Sequence, residues 1–492
     1  MALFVLSVLL HFFFSCSSLF FIEWDNFFVS LLAGFDNKYD IAYSNLFQVI
    51  KTKTVNNFIP NWSAGGGVIK SSDRTEPPIG GRVLLELYKK YPEDNNKWLI
   101  ELLWDDIYEW NNWFINNRLL QPLGLISVGS YYSNKDGRIK NNIINNMQAA
   151  RYESGLDNSP MYDGNNDIDE TSSSSSSLYN NTTHMMDMYD VGMSSLVAHE
   201  AYCLLILAEE IGGIDPNIIS KLRRRGDMLR DRIFKYLWNP NEKIFANRYR
   251  HHHLSAAGNI SSTSSSSSAF VPHITPTSFY PLLLLSRDDL QNNVVPPLKL
   301  LDNKDYDHVI DINDMITSWL LNSTRFCITP NGDFDGNDPN HCYWGLPSVS
   351  ADDPTYMVPG QWNYWRGLSW GPMSQIVYWS LQGKPIISYD NYNNSDRSDD
   401  NDILASLSSS SARSIQKNNV SSSTTSSKSI IDGARKALCR QMEALVISQW
   451  KANRHICENY SPFLNSTECS GTLFYHWGAL HALIGMTERG YY

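Results

Sequence analysis

The chain has 492 residues and a formal net charge of −11, with no basic block, so nucleic acid is excluded as a partner because phosphate binding needs clustered Lys and Arg. That length supports a large buried core. Its 15 Trp, 26 Tyr and 20 Phe suit core packing and equally a cleft in which flat rings stack on sugar faces.

The first 22 residues, MALFVLSVLLHFFFSCSSLFFI, are apolar over about one membrane span. Residues 1–18 read as a signal peptide or signal anchor, with small residues at Cys16, Ser17 and Ser18, although no Lys or Arg precedes Lys38. A membrane is expected as a partner only if that segment is an uncleaved anchor. The other reading is a buried first helix in a chain that starts upstream, which makes the protein cytoplasmic. Removing Cys16 leaves six of the seven cysteines, an even number that fits an oxidising compartment. Cys327 lies near Cys342 in sequence, and Cys457 near Cys469. Glycosylation triplets at Asn61, Asn180, Asn181, Asn259, Asn322, Asn393, Asn419 and Asn465 also fit a secretory route. There is no C-x-x-C pair and no other metal-ligand spacing, so neither a metal nor a cofactor is expected.

Downstream, the structured segments read as helices. In WLIELLWDDIYEWNNWF, Leu99, Leu102, Leu103, Ile107, Trp110, Trp113 and Phe114 share one helical face. In GMSSLVAHEAYCLLILAEEIGG, Met193, Leu196, Val197, Leu204, Leu207, Ala208 and Ile211 do the same, and Gly212-Gly213 stops the helix. WGPMSQIVYWSLQGK has Pro372 where a helix begins and Gly383 where it ends. ARKALCRQMEALVISQW repeats the pattern with Ala434, Leu438, Met442, Leu445, Val446 and Trp450. GTLFYHWGALHALIGMTERG predicts one more helix. The domain, residues 19–492, is therefore all-α, and helix pairs recurring along it suit a closed toroid. Ser/Asn-rich inserts near 164–184, 255–268 and 390–428 have little apolar content and read as disordered surface loops.

Polar and aromatic clusters lie between the helices: WDN at Trp24–Asn26, KSSDRTEPP at Lys70–Pro78, ESGLDNSPMYD at Glu153–Asp163, PGQWNYWRGLSWGPM at Pro359–Met373 and ENYSP at Glu458–Pro462. Gly155 and the Asn-Ser-Pro run make the third a tight turn carrying several carboxylates. Loops at one end of a helical scaffold are where binding residues gather, and glycosidic bond cleavage needs two carboxyl groups flanking the bond.

ESGLDNSPMYD, then YWRGLSWGPM, then ENYSP and a terminal FYHWGALHAL, in that order, resemble glycoside hydrolase family 63, and within it the mannosylglycerate-hydrolase-like branch. DRTEPP and PGQWNYWRG are also similar to trehalase motifs. The resemblance runs from about Leu19 and implies an (α/α)6 barrel, an inverting mechanism and a small carbohydrate substrate such as mannosylglycerate or glucosylglycerate. It implies Asp157 as general acid and Glu458 as general base; burial, or a nearby carboxylate such as Glu153, would raise the affinity of Asp157 for its proton. Trp24, Asp25, Arg74, Glu76, Glu153, Tyr162, Asp163, Gln361, Trp362, Trp365, Arg366, Trp370 and Tyr460 are the implied substrate-binding set. His476 reads as a core histidine. The alternatives are a processing α-glucosidase of N-glycan maturation and a catalytically silent carbohydrate-binding protein.

Overall fold

The computed structural model describes residues 20–64, 67, 69–91, 96–130, 147–163, 178–250, 269–298, 309–328, 345–383, 424–462 and 469–491. The principal helices are α1 (Glu23–Phe35), α2 (Tyr39–Lys51), α3 (Gly80–Lys90), α4 (Lys97–Asn117), α5 (Met147–Glu153), α6 (Val191–Ile211), α7 (Pro216–Tyr236), α8 (Gly371–Gln382), α9 (Thr424–Asn453) and α10 (Leu480–Glu488), with a 3-10 segment at Pro276–Leu284. Six of these segments form an inner ring: α1, α3, α6, the 3-10 segment, α8 and α10 each pack on the next, and α10 closes on α1. Helices α2, α4, α7 and α9 pack outside them. This is the (α/α)6 barrel that the motif order implies.

Local sequence explains the main elements. Every residue of α6 from Val191 to Ala208 is buried, as fits a helix apolar on all sides. It is long and apolar enough to cross a membrane, yet its whole apolar span lies inside the protein. Asp190 caps it, accepting from the Met193 amide at 2.8 Å. Pro372 lies in the first turn of α8 and Gly383 caps its end, as the sequence predicts, Gly383 taking a φ of 82°. Helix α4 buries Leu99, Leu103, Ile107, Trp110, Trp113 and Phe114, whereas Leu102, at the edge of that stripe, is exposed.

Two small antiparallel sheets sit where the chain enters the inner helices. The first joins β1 (Phe20–Ile22), β2 (Trp62–Ala64) and β3 (Ile69–Lys70), and β1 runs directly into α1. The second joins β4 (Ser369–Trp370), β5 (Cys457–Tyr460) and β6 (Cys469–Leu473), and β4 runs into α8. The last sheet corrects the helix expected from Gly471 onward. Cys457 pairs with Leu473 and Tyr460 with Cys469, so that stretch is strand, and α10 starts only at Leu480 after a 3-10 turn at His476–Ala479.

The insert boundaries also shift. Residues 178–184, expected in a disordered loop, belong to a hairpin of Tyr179–Asn180 and Met185–Met186, anchored by buried Leu178 and Tyr179. Helix α9 begins inside the expected 390–428 insert. Residues 1–19, 164–177, 255–268 and 390–423 lie outside the described residues. Cys327 and Cys457 each take part in a disulfide, and among the described cysteines Cys203 and Cys439 are free and buried. Cys342 and the Cys469 side chain are outside the described set.

Candidate active site

The segments that lead into the N-terminal ends of α1, α3, α8 and α10, together with α5 and the turn after it, converge on one cavity of about 430 Å³. Trp24 and Asp25 come from the first turn of α1, Arg74 and Glu76 from the approach to α3, and Tyr152, Gly155 and Asp157 from α5 and the turn after it. Tyr364 and Trp365 precede α8, while Glu458, Tyr475 and Trp477 precede α10. Ile22, Asn61 and Trp62 complete the wall.

Asp157 sits in the turn that the sequence predicts. Gly155 holds a φ of 70°, a left-handed conformation that favours glycine, and the chain reverses there. Gln148 donates to the Asp157 carbonyl at 2.8 Å. Asn158 donates to the Trp362 carbonyl and accepts from the Trp365 amide, both at 2.7 Å, so this turn is clamped to the aromatic segment before α8. Burial pushes the Asp157 carboxyl up to about 6; Arg74 opposes that shift and Glu458 adds to it.

Glu458 is placed differently. It lies where the register between β5 and β6 shifts, a local irregularity of the kind that re-aims a side chain. The Tyr364 hydroxyl donates to its Oε1, and the Thr472 amide donates to its Oε2 at 2.5 Å. Gly471 has a φ of 74° and packs directly on this carboxylate.

The other acids are interlocked. The Trp24 amide donates to Glu76 Oε2 at 2.7 Å and the Asn61 side chain to Oε1 at 2.6 Å. The Glu76 amide in turn donates to Glu23 Oε2 at 3.1 Å. Burial and the charge of Asp25 push Glu76 well above the usual carboxylate range. Burial also pushes Asp25 up to about 8, against a hydrogen bond from the Tyr475 hydroxyl that favours its charged form. His476 bonds the Asp25 carbonyl through Nε2 at 2.9 Å and is pushed down to about 4 by burial, as suits a core histidine. The indole N–H groups of Trp24 and Trp477 are buried without a protein acceptor on residues that line the cavity.

Of the residues singled out in sequence, Trp24, Asp25, Arg74, Glu76, Asp157, Trp365 and Glu458 line the cavity. Several others do not. Glu153 is fully buried and bound by Arg118 through Nε at 2.5 Å and Nη2 at 2.9 Å, with the Gly129 and Thr75 amides donating as well. It does not figure among the charges that raise Asp157. Tyr162 is buried and donates to Asp190 at 2.7 Å. Asp163 is held between Arg151 and Arg366, at 2.8 Å and 2.7 Å, so Arg366 braces two loops together and leaves the cavity wall to others. Trp370 is core, stacked on Trp365 with centroids 3.9 Å apart. The Tyr460 hydroxyl is directed to the Cys457 amide and the Gly478 carbonyl, away from Glu458. Gln361 and Trp362 are exposed and do not line the cavity. Asn61 is buried against Glu76, which leaves no room for a glycan there.

Sequence reasoning misses Tyr364, Tyr475, Asn61, Trp62 and Tyr152. Tyr364 lies inside NYWRG and Tyr475 inside FYHWG, so both fall within the motifs named above, but nothing local marks either hydroxyl as the partner of a distant carboxylate.

A family model described as a mannosylglycerate hydrolase MGH1-like glycoside hydrolase domain matches residues 19–477. No curated protein sequence matches the chain significantly. Among solved structures, the chain is similar to the glycoside hydrolase family 63 mannosylglycerate hydrolase from Thermus thermophilus in complex with Tris and D-glycerate. The TM-score is 0.56 at 15% identity, covering 98% of this chain and 99% of that one. The same enzyme in complex with glucose gives a TM-score of 0.54 at 16% identity, covering 96% and 94%. Neutral trehalase Nth1 from Saccharomyces cerevisiae gives 0.55 at 12% identity, covering 95% of this chain and 71% of that one.

Proposed function

The chain belongs to the MGH1-like glycoside hydrolase family, and on that premise we propose that it hydrolyses a short α-linked glycoside with inversion, Asp157 acting as general acid and Glu458 as general base. One observation carries this reading. Two carboxyl groups share one cavity but have opposite surroundings: Asp157 is pushed toward its protonated form, while Glu458 accepts hydrogen bonds on both oxygens.

Those surroundings suit the two roles. Asp157 gives its proton to the leaving oxygen as the bond from that oxygen to the anomeric carbon breaks. Glu458 removes a proton from a water whose oxygen forms the new bond on the opposite face of the ring. Inversion requires room for that water, about 6.5–9.5 Å between the two carboxyls. Asp25, Glu76 and the indole N–H groups of Trp24 and Trp477 supply acceptors and donors for ring hydroxyls. Afterwards Asp157 regains a proton and Glu458 loses one to solvent.

Asp157→Asn tests the assignment: turnover should fall at least about a thousandfold with no loss of thermal stability. A near wild-type rate in that variant refutes the role of Asp157. NMR of the first-formed anomer tests inversion, and a retained configuration refutes it. The disulfide-bonded Cys327 and Cys457 support a secretory route for the chain. Enzymatic deglycosylation of protein from its native source should then shift its size; an unshifted band counts against that route.

A further inference from the structure

Trp362 stands out beside the cavity-lining Tyr364 because it is 63% exposed and yet tightly placed. Its ring stacks on Tyr364 with centroids 5.0 Å apart and an interplanar angle of 16°. Tyr364 meets Trp365 and Trp370 edge-on, at 84° and 86°, and those two indoles stack on each other. The backbone is fixed as well, since the Trp362 carbonyl accepts from Asn158, the residue after Asp157. The hydroxyl of Tyr364, the next ring in the column, donates to Glu458. An indole face turned to solvent is thus tied, through Asn158 and Tyr364, to the segments that carry both carboxyls. A large ring left exposed and rigid is a feature of binding surfaces, and its negative π-face attracts the electropositive C–H face of a pyranose.

The polar lining of the cavity suits a neutral leaving group. Asp25, Glu76, Asp157 and Glu458 all line it. Burial pushes Asp25, Glu76 and Asp157 toward their neutral forms, so these side chains offer hydrogen bonds to the hydroxyls of a neutral ring.

We propose that Trp362 is the platform of a second sugar subsite, so that the group released from the glycosidic oxygen is a neutral pyranose and not a small carboxylic acid such as glycerate. This rests on the glycosidase reading above and deepens it by naming the aglycone. Bond cleavage is unchanged: Asp157 protonates the oxygen that stays with the released sugar.

The test compares trehalose and α-1,2-mannobiose with mannosylglycerate and glucosylglycerate, using the wild-type chain and the variants Trp362→Ala and Trp362→Tyr. A disaccharide should give the highest kcat/KM. Trp362→Ala should raise its KM about tenfold with kcat within about twofold, and Trp362→Tyr should restore most of the loss. A glycerate glycoside with the higher kcat/KM overturns the inference and leaves the glycosidase reading standing, as does a disaccharide KM indifferent to Trp362→Ala. Calorimetric titration of the same four compounds into Glu458→Gln separates the two readings. Disaccharide binding that Trp362→Ala weakens, with no wild-type turnover, keeps the platform and removes the proposed catalysis. Neither binding nor turnover of any of the four overturns both.

Discussion

The negative charge of Glu458 raises the proton affinity of Asp157 across the cavity that both line. The residues are far apart in sequence, so the coupling exists only because the inner ring closes α10 on α1 and the fold brings both residues to one cavity. It has a measurable consequence. Asp157 holds its proton up to about pH 6, so kcat/KM should decline as pH rises through about 6. In Glu458→Gln the neighbouring charge is gone, and the Asp157 titration followed by carboxyl ¹³C NMR should move down. An unmoved titration means that burial alone sets it.

The same shift predicts a change in stability. The folded-state pKa of Asp157 lies above the ordinary value, so the folded protein binds the proton more tightly than the unfolded chain. Its stabilising contribution is complete below about pH 4 and is lost as pH rises through about 6. Asp157→Asn should therefore be more stable than wild type at pH 8, by up to ~3 kcal/mol, and should show little such gain at pH 4. Denaturant melts at the two pH values check this, and a gain confined to pH 4 contradicts the sign.

Tyr364 gives a sharper test of how the base is held. Its hydroxyl bonds Glu458, and its ring lies between Trp362 on one side and the buried indoles on the other. Tyr364→Phe keeps the ring and removes the bond. We expect kcat to drop about 10- to 100-fold with KM and melting temperature nearly unchanged, because the stacking survives while the base loses its orienting partner. A change mainly in KM means that Tyr364 meets the substrate and does not act through Glu458.

The contrast between Tyr364 and Asp157 shows what is readable in sequence. Asp157, Glu458, Trp24 and Asp25 are picked out by the resemblance of SGLDNSP, ENYSP and WDN to family motifs, helped by the clustering of carboxylates and aromatic rings between apolar helices. The barrel is legible because α4, α6, α8 and α9 carry clear helical periodicity. Roles that depend on long-range pairing are not legible: Tyr364 reaches Glu458 across 94 residues and Tyr475 reaches Asp25 across 450. Glu153 and Tyr162 fail the other way. They share a motif with Asp157, but α5 turns Glu153 inward to Arg118 and the 3-10 turn at Pro160–Tyr162 turns the tyrosine to Asp190. The strand at Gly471–Leu473 reads as helix because local pattern does not reveal its pairing with β5.

Glu153 therefore calls for a prediction about stability. Its carboxylate and the Arg118 guanidinium are both almost wholly buried, and the pair also fixes the Gly129 and Thr75 amides. Removing one member leaves the other charge buried and alone, which typically costs about 3–5 kcal/mol. Glu153→Ala should lose stability on that scale in chemical denaturation. A variant with wild-type stability but a raised KM returns Glu153 to the substrate-binding set.

Gly471 links backbone conformation to the base most directly. It sits in β6 at a φ of 74°, and a Cβ there falls 2.2 Å from Glu458 Oε2 and 2.8 Å from the Glu458 Cβ. Two costs coincide in Gly471→Ala. The left-handed backbone disfavours alanine by about 1 kcal/mol, and the new methyl group forces the carboxylate away from the Thr472 amide that orients it. The main effect should fall on catalysis, because the displaced group is the base itself. We expect kcat to fall more than about tenfold while the melting temperature drops by only a few degrees. Crystallographic inspection of the variant should find Glu458 turned off the Thr472 amide. If kcat is kept with Glu458 visibly moved, the position of that carboxylate is not what limits turnover, and the general-base assignment fails with it.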